Sequence, residues 1–503
     1  MNPVRLFLLA HDGGRRCGVD RHAGAVTYAW MREAARGYAG RLRAAGVRPG
    51  CRAVVVSDDR LSAVAAILGL WWHGCVPVVL HPMLRPAEIA FVVRDCAAEF
   101  VELTGAPEQE SALRAELARL DPPPLTGLGP PRPEFLPHEP ADFGDTDELL
   151  VQYTSGSTGR PRGVRHCARA VRAVLLGMGS LLALTPGDVV LSTAKLSFGY
   201  GFGNSLLHPY AVGAASVLLD GPADPYGVAA ALGEHRPTVL LSVPRLYAGL
   251  LTLVEHGKAV ETGSLRLAVA TGERLPDRLA ARITEAFGVP LLNGFGATEV
   301  LHTVLAAEVG RGRAAGPGSI GLPVPGVTAT VRDDAGEPVG DGIPGRLHLA
   351  TDSAGLGYLD RPEDTARTFA DGGVYTGDIV VRAAGGGLRH IERADDMLLL
   401  GGYKIAPAEI EHVVRDLAEV ADCAVVGGRD AGGLEQAVVY VVPRDGSAPD
   451  AARRAVRAAL RAGLAPYKRP SRVEVIDALP VTANGKLARF RLRDGLGAPG
   501  GGA

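Results

Sequence analysis

The stretch Tyr153-Thr154-Ser155-Gly156-Ser157-Thr158-Gly159-Arg160-Pro161-Arg162-Gly163 decides the fold, because it sets a loop rich in hydroxyl groups and glycine between two regular elements. The apolar run from Leu149 to Gln152 predicts a buried strand before it, and a helical pattern begins near Ala168. Hydroxyl groups, and amides that glycine leaves accessible, present many hydrogen-bond donors in a small arc, which suits phosphate oxygens. The sequence has neither the Walker-type P-loop motif nor the nucleophile elbow of serine hydrolases. We therefore expect a phosphate-binding loop of another type.

Helical and strand patterns alternate along the chain on both sides of this loop. Before it, the patterns predict a helix over residues 27–47, a strand over Cys51–Ser57, a helix over Leu61–Trp72 and a strand over Val76–Leu80. The alternation continues to about residue 300, which predicts parallel sheets of the α/β type. The proline-rich residues 121–143 predict an irregular connector.

The pattern changes after about residue 320. Short strand patterns at Val327–Val331 and Arg346–Ala350, joined by glycine-containing turns, predict a β-rich subdomain. After Asp395 the predicted elements form a small α+β unit: a helix over Pro407–Leu417, strands over Cys423–Gly427 and Ala437–Val442, and a helix over Ala451–Arg461. We predict an α/β fold with a large N-terminal domain (1–394) of parallel-sheet subdomains plus the β-rich subdomain. A small mobile C-terminal α+β domain (395–496) and a disordered tail (497–503) complete the prediction.

Composition excludes several classes of protein. The 503 residues are 47% hydrophobic and 21% charged, with a formal net charge of -2 and no basic tail, which argues against a nucleic-acid partner. The six cysteines are far apart in sequence, which fits a reducing compartment and neither a zinc knuckle nor a redox pair. No apolar run is long enough for a signal peptide or a membrane span, so we expect a cytoplasmic protein.

Five stretches together resemble the adenylate-forming, or AMP-binding, superfamily of acyl-CoA synthetases, adenylation domains and luciferases. The loop at 153–163 is similar to the phosphate-binding signature of that superfamily. The other four, in the same order as in the family, are Gly294-Phe295-Gly296-Ala297-Thr298-Glu299, Tyr375-Thr376-Gly377-Asp378, Glu392-Arg393-Ala394-Asp395-Asp396 and Asn484-Gly485-Lys486. The resemblance covers nearly the whole chain, from Thr27 to about Arg493. It implies an ATP-dependent enzyme that activates a carboxylate as its acyl-AMP.

The resemblance also implies a role for each motif. The β- and γ-phosphates of ATP would be bound by Thr154, Ser155, Gly156, Ser157, Thr158, Gly159 and Arg162. The nucleotide itself would contact Gly294, Phe295 and Gly296, with Phe295 beside adenine, and its ribose would be held by Asp378 and Arg393. Thr298 would touch the α-phosphate and Glu299 would bind Mg²⁺, a hard ion that prefers oxygen ligands. Lys486 would bridge the carboxylate and the α-phosphate during adenylation.

A closer resemblance suggests the class of acid. The stretches Ala194–Asn204, Ala270–Glu273 and Thr298–His302 are similar to those of benzoate- and hydroxybenzoate-CoA ligases, in which they form a flat aryl pocket. The substrate-binding residues that this resemblance implies are Lys195, Phe198, Tyr200, Ala270, Gly272 and His302. Aromatic rings and glycine backbone make a slot for a ring, and a lysine or histidine can meet the carboxylate.

The acceptor of the acyl group is left open by the sequence. The resemblance implies a hinge at Asp395 and a thiol tunnel near Gly401 and Gly402, hence CoA as the acceptor. Leu399, however, stands where a lysine often follows the hinge in relatives. The alternative is an aryl-AMP ligase that loads the phosphopantetheine of a carrier protein, serves another nucleophile or adenylates an unconventional anion. A nucleotide sensor without catalysis is a third possibility, against which the joint presence of Glu299, Asp378 and Lys486 argues. A monomer and a homodimer are both compatible with the sequence.

Overall fold

In the computed structural model of the chain, the described residues are 2–104, 107–128, 139–155, 161–221, 223–310, 318–400, 403–429, 435–464, 468–481 and 487–494. Its strands are β1 Arg16–Asp20, β2 Gly24–Thr27, β3 Arg52–Ser57, β4 Val76–Leu80, β5 Phe100–Thr104, β6 Leu125–Thr126, β7 Glu148–Ser155, β8 Pro161–Cys167, β9 Val189–Ser192, β10 Ala215–Val217, β11 Val239–Ser242, β12 Leu267–Thr271, β13 Leu291–Gly296, β14 Thr303–Glu308, β15 Ser319–Pro323, β16 Val327–Arg332, β17 Pro344–Thr351, β18 Val374–Arg382, β19 Leu388–Arg393, β20 Leu398–Leu400, β21 Tyr403–Ile405, β22 Val420–Arg429, β23 Glu435–Pro443 and β24 Arg472–Val475.

The α-helices are α1 Tyr28–Ala44, α2 Leu61–His73, α3 Pro86–Asp95, α4 Pro107–Leu117, α5 Ala168–Leu176, α6 Met178–Leu182, α7 Gly199–Phe202, α8 His208–Val212, α9 Pro225–His235, α10 Pro244–Glu255, α11 Asp277–Phe287, α12 Pro362–Thr368, α13 Pro407–Arg415, α14 Pro449–Gly463 and α15 Arg489–Asp494. Arg5–Leu9 and Gly203–Leu207 are π-helical, and Thr298–Val300 and Ala394–Asp396 are 3₁₀ turns.

The N-terminal part confirms the predicted α/β class. A six-stranded sheet has the order β6-β5-β3-β4-β7-β8, in which every neighbouring pair except β7 and β8 is parallel. Its central strands β3 and β4 are Val-rich and buried, as is typical of a parallel sheet covered by helices. The helix α1 begins where the sequence predicts, since the Thr27 hydroxyl caps it by accepting from Trp30 N at 3.2 Å.

A second sheet of 13 strands carries most of the candidate site. Its order is β16-β17-β18-β19-β15-β14-β13-β12-β11-β9-β10-β1-β2. The strands from β9 to β13 pair in parallel, whereas β13 to β19 pair antiparallel. Within the antiparallel half, the strands β16 to β19 form the β-rich subdomain that the sequence predicts after residue 320.

The C-terminal part has a core of its own. The strands β22, β23 and β24 form a three-stranded sheet, and α13 and α14 contribute Ile410, Val414, Val456 and Leu460 to the same apolar cluster. A small α+β unit therefore follows the β-rich part, as predicted.

One element departs from the prediction. The residues after the loop form β8, which returns antiparallel to β7, with Thr154 opposite Arg162 and Ser155 opposite Pro161. The sequence pattern predicted a loop between a strand and the helix near Ala168, and no strand over these residues. Proline is tolerated here as the first residue of an edge strand.

The six cysteines were predicted to be far apart and unpaired. All six cysteines are free thiols, but Cys51 and Cys75 precede the neighbouring strands β3 and β4, which brings their Sγ atoms to 3.6 Å. Because these two cysteines are 24 residues apart in the chain, the sequence did not predict their contact.

Among the residues that the structure describes, no helix has both the length and the apolar character needed to cross a bilayer.

Candidate active site

The phosphate-binding loop is predicted at the tip of the β7–β8 hairpin. Thr154 lies on β7 and Arg162 lies opposite it on β8. Of the other predicted phosphate ligands, Gly156, Ser157, Thr158 and Gly159 lie outside the described residues, and only the backbone of Ser155 is described. The two strands hold the ends of the loop side by side, as a cradle for an anion requires.

Arg162 is held by an acidic and an aromatic neighbour. Its guanidinium carbon lies 4.8 Å from the centre of the Tyr358 ring, and its Nη1 is 3.4 Å from Asp364 Oδ2. Its buried Nε has no hydrogen-bond partner among the described residues. This cation is therefore fixed in direction and keeps a donor for another acceptor.

Thr298 and Glu299 occupy the 3₁₀ turn that follows β13. Glu299 Oε1 accepts a hydrogen bond of 2.6 Å from Tyr358 Oη, and the backbone oxygen of Glu299 accepts one of 2.8 Å from Gly355 N. Within the described part of the chain, no donor is bonded to Glu299 Oε2. A half-buried carboxylate with one held and one available oxygen suits a hard cation.

The turn ends at Leu301, whose φ is +67° and whose ψ is -45°. His302 N donates to Val300 O at 2.8 Å, which closes a tight γ-turn around Leu301. Positive φ is uncommon and strained for leucine. This turn places Glu299 and His302 three residues apart on either side of one sharp bend.

A second group of predicted residues meets on β18 and β19. Asp378 and Arg393 are cross-strand partners, with Arg393 Nη1 at 3.1 Å from Asp378 Oδ2 and 2.7 Å from Thr376 O. His390 Nε2 is 2.9 Å from Asp378 Oδ1. The His390 ring also lies beside Phe295, with ring centres 6.3 Å apart. Phe295, Asp378 and Arg393 are thus brought together as expected, and His390 joins them.

The charge of Asp378 is set by these neighbours. Burial opposes ionisation of the carboxyl, but the hydrogen bond from His390 and the charge of Arg393 outweigh it and hold the pKa of Asp378 below its usual value. The carboxylate is therefore ionised at neutral pH and able to accept hydrogen bonds from hydroxyl groups.

The third group surrounds His302. Its Nε2 is 3.2 Å from Asn204 Oδ1, and its ring centre is 5.5 Å from that of Tyr200 and 4.8 Å from that of His208. Burial lowers the pKa of His302 to about 4, so the ring is neutral at neutral pH. A Cβ added to Gly203 would collide with this ring, so glycine there is required for the close approach.

Buried polar atoms without partners converge on the same place. Tyr200 Oη, Thr271 Oγ1 and His302 Nδ1 are buried without a hydrogen-bond partner among the described residues. Buried polar groups are normally satisfied, and leaving one unsatisfied costs free energy. These atoms therefore mark a region that suits a partly polar ligand.

One predicted substrate residue, Ala270, has its side chain on the other side of its strand. Ala270 packs in the apolar core cluster of Leu240 and Tyr247, on the face of β12 opposite to Val269 and Thr271. Tyr200 packs with the cluster that contains Val269, so Thr271 rather than Ala270 has its side chain on the Tyr200 side of the strand. Gly272 follows directly, with φ of +94°.

Lys195 is buried and committed to other partners. Its Nζ donates to Leu219 O and lies close enough to Asp59 to favour the ionised form of that carboxyl. Asp59 Oδ1 in turn accepts from Leu196 N at 2.9 Å. Lys195 therefore anchors the stretch that carries Phe198 and Tyr200, and His302 is left as the predicted polar group that could meet a carboxylate.

Sequence reasoning missed four residues of the site: Thr271, Tyr358, His390 and Asn204. Thr271 follows from the alternation of side chains along β12, and Asn204 stands within the stretch that the aryl resemblance covers. Tyr358 and His390 lie outside all five matched stretches, and only strand pairing and loop contacts bring them to the site. Gly401, Gly402 and Lys486 lie outside the described residues, and of Asp395 only the backbone is described.

Known proteins are similar to this chain in sequence and in architecture. A family model described as AMP-binding enzyme matches residues 10–359, and one described as AMP-binding enzyme C-terminal domain matches residues 409–486. The chain is 34% identical to the 3-hydroxybenzoate–CoA ligase of Aromatoleum sp. (strain CIB), over 94% of this chain and 92% of that protein. It is 33% identical to the benzoate–CoA ligase of Thauera aromatica, over 97% of this chain and 94% of that protein. The crystal structure of a benzoate CoA ligase from Burkholderia xenovorans LB400 is similar with a TM-score of 0.85 at 33% identity, covering 97% of this chain and 99% of that one.

Proposed function

Because this chain belongs to the family of AMP-binding enzymes, we propose that it activates an aromatic carboxylic acid with ATP and transfers it to the thiol of CoA. In the first half-reaction a carboxylate oxygen attacks the α-phosphorus of ATP, and pyrophosphate leaves from the aryl-AMP. In the second, the thiol sulfur attacks the acyl carbon, loses its proton, and AMP leaves from the thioester.

One observation carries this proposal: the γ-turn at Leu301 joins Glu299 to His302. The adenylation step requires that the carboxylate and the α-phosphate meet, and enzymes gain much of their rate by holding reactants in such a geometry. Glu299 belongs to the nucleotide side and His302 to the group of Tyr200 and Asn204. This turn therefore joins a residue proposed to act on the nucleotide to a residue proposed to bind the acid.

On the nucleotide side, Asp378 and Arg393 hold the ribose hydroxyls and Phe295 packs beside adenine. Gly294 and Gly296 flank Phe295 at the end of β13, where Thr271 and the backbone of His302 approach them closely. Thr154, Ser155 and Arg162 bind phosphate oxygens together with the loop 156–159, and Thr298 contacts the α-phosphate. The ionised state of Asp378 supports its role, since a carboxylate accepts from both hydroxyls of a ribose.

The donor set fits Mg²⁺ through Glu299. Within the described ranges, no cluster of three or more histidine, cysteine or acidic side chains that could hold a metal ion occurs. Mg²⁺ is commonly held by one or two carboxylates together with substrate phosphates. When bound, it would neutralise phosphate charge as pyrophosphate leaves; Glu299 would hold it by the free oxygen.

On the acid side, Phe198, Tyr200 and Gly272 form the walls of a flat pocket. His302 is neutral at pH 7 and carries one N–H. It would donate a hydrogen bond to the carboxylate from Nδ1, with the side-chain amide of Asn204 turned so that its nitrogen donates to Nε2, and it would not pair with the acid as a cation. The names of the relatives support an aromatic ring as the occupant.

The C-terminal part, 395–496, would alternate between two orientations, with the hinge at Asp395. Asp396 forms ion pairs with Arg489 and Arg493 on α15, which supports a division just before it, because those pairs attach Asp396 to the C-terminal unit. One orientation would bring Lys486 to the carboxylate and the α-phosphate, and the other would bring Gly401 and Gly402 to the thiol. Domain closure of this kind uses few hinge residues.

The test is acid-dependent exchange of pyrophosphate into ATP over benzoate, hydroxybenzoates, aminobenzoates and linear acids of similar carbon number. We expect exchange with aromatic acids, and thioester formation when CoA is added. A linear acid with higher kcat/KM than every benzoate would contradict the aromatic substrate. Exchange without any thioester would favour a carrier protein or another nucleophile as the acceptor.

A further inference from the structure

One segment, residues 355–364, contacts the strand β8 and the turn that carries Glu299, and it is linked to β7 through Asp95. We call it the bracing segment. Gly355 N donates to Glu299 O at 2.8 Å, and Leu356 N and Leu359 N donate to backbone oxygens on β8. The segment thus runs alongside the phosphate hairpin and touches the turn that carries Glu299.

Close packing fixes this course of the bracing segment. A Cβ added to Gly163 on β8 would lie 2.8 Å from Leu359 Cδ1, and one added to Gly357 would lie 2.6 Å from Thr365 Cγ2. Gly357 also has φ of +111°, which side chains rarely adopt. The segment is therefore packed closely against β8 at Gly163 and against the helix α12 at Gly357.

Side chains of the bracing segment extend the same connection. Arg361 Nη2 is 2.6 Å from Asp95 Oδ1, and Tyr153 Oη donates to Asp95 Oδ2 at 2.7 Å, one residue before the loop begins. Asp364 pairs with Arg162 at 3.4 Å. Both strands of the hairpin are thus tied to the segment by charged groups.

Tyr358 lies at the centre of these contacts. Its hydroxyl donates to Glu299 Oε1 at 2.6 Å, while the face of its ring meets the Arg162 guanidinium at 4.8 Å. The ring also packs edge-on against Phe369, with centres 5.5 Å apart. Because an ionised carboxylate oxygen only accepts, the Tyr358 hydroxyl is the donor of this bond.

We infer that Tyr358 is a positioning residue that orients the Glu299 carboxylate for the metal ion and, through its ring, aligns Arg162 with the phosphates. The inference rests on the proposed role of Glu299. Groups that hydrogen-bond a metal ligand fix its orientation, and their loss commonly weakens metal affinity or activity by about 10-fold or more. With Oε1 held by Tyr358, Oε2 is the oxygen left to face the ion.

The test is binding of ATP in the absence of any acid, measured by calorimetry over a range of Mg²⁺ concentrations. Tyr358→Phe keeps the ring on Arg162 and removes only the donor. We expect the Mg²⁺ concentration for half-maximal ATP binding to rise about 10-fold. In turnover, we expect a larger loss at limiting than at saturating Mg²⁺, since the missing interaction acts through the metal.

Tyr38→Phe is the matched control. The Tyr38 hydroxyl donates to Glu102 Oε2 at 2.8 Å and its ring carries Arg41 at 5.2 Å, so the same chemistry is repeated far from the candidate site. This variant should leave the Mg²⁺ dependence at the wild-type value. Thermal unfolding of both variants measures the structural cost separately.

A double-mutant cycle decides whether Tyr358 acts through Glu299. In a Glu299→Gln background, Tyr358→Phe should cause no further rise in the half-saturating Mg²⁺ concentration. An additive rise, or an unchanged Mg²⁺ dependence in Tyr358→Phe alone, would overturn the inference. Wild-type protein that binds no ATP with Mg²⁺ would instead overturn the proposed function.

Discussion

Asp378 and Arg393 face each other on β18 and β19, with Arg393 Nη1 at 3.1 Å from Asp378 Oδ2 and at 2.7 Å from the backbone oxygen of Thr376. The carboxylate is 4% exposed and is flanked by His390 on its other oxygen. The register of β18 and β19 places these two residues opposite each other, so the pair is part of the fold and its position does not depend on a bound nucleotide.

Asp378→Asn should weaken nucleotide binding. The amide keeps the shape and removes the charge, and hydrogen bonds to charged groups contribute about 1.5–3 kcal/mol, so the Kd for AMP should rise about 10-fold or more. Calorimetry with AMP measures it. Asp188→Asn is the matched control, because Asp188 is also buried and paired with an arginine, Arg266, outside the candidate site. Equal AMP affinities in the two variants would contradict the ribose role.

His302→Ala should weaken binding of the acid and leave binding of the nucleotide unchanged. Loss of one hydrogen-bond donor to the carboxylate should raise the KM for a benzoate about 10-fold, while ATP binding without acid stays unchanged. Because the pKa of His302 is about 4, the KM of the wild type should show no inflection from this ring between about pH 6 and 8. Such an inflection that disappears in the variant would show that the ring binds the acid as a cation.

Lys486→Ala should reduce acid-dependent pyrophosphate release by about 100-fold, the scale of a lost transition-state charge contact. Conversion of chemically prepared aryl-AMP and CoA to the thioester should be retained, since that step uses the other orientation of the C-terminal part. Lys258→Ala, which changes an exposed lysine in the N-terminal part, is the control. Loss of both half-reactions to the same degree would contradict the assigned role.

Asp59 should make stability depend on pH. Burial raises the pKa of this carboxyl from 3.8 to about 6 in the folded protein, so its contribution to stability is complete below about pH 4 and is lost as pH rises through 6. Asp59→Asn removes that titration. As the pH rises from 4 to 7, the wild type should therefore lose about 2–3 kcal/mol of its free energy of unfolding relative to the variant. Urea unfolding at several pH values measures this, and two parallel curves would contradict it.

Elements with a strong pattern were predicted well from the sequence. The strand Val76–Leu80 and the helix from Tyr28 lie where their patterns indicate, because the strand is a short apolar run rich in valine and the helix has a capping threonine. The strand β8 was missed because its sequence, Pro161–Cys167, contains turn-forming residues and is strand only by pairing with β7. Tertiary pairing there outweighs local preference.

The residues of the candidate site were also predicted only in part. Phe295, Asp378 and Arg393 were predicted by resemblance, and the structure brings them together. His390 and Tyr358 act through contacts between residues 12 and 59 apart in the chain, which no local pattern encodes. Lys195 was predicted to bind the substrate. In the structure its ammonium group donates to the backbone oxygen of Leu219 and lies near Asp59, and the spacing of these residues in the sequence does not reveal either contact.

The most direct test of the central claim is identification of the products by mass spectrometry after single turnover with ATP, Mg²⁺ and a benzoate, with and without CoA. The account predicts enzyme-bound aryl-AMP and free pyrophosphate without CoA, and aryl-CoA with AMP when CoA is present. Formation of ADP, or the absence of an aryl-AMP with every aromatic acid, would contradict it.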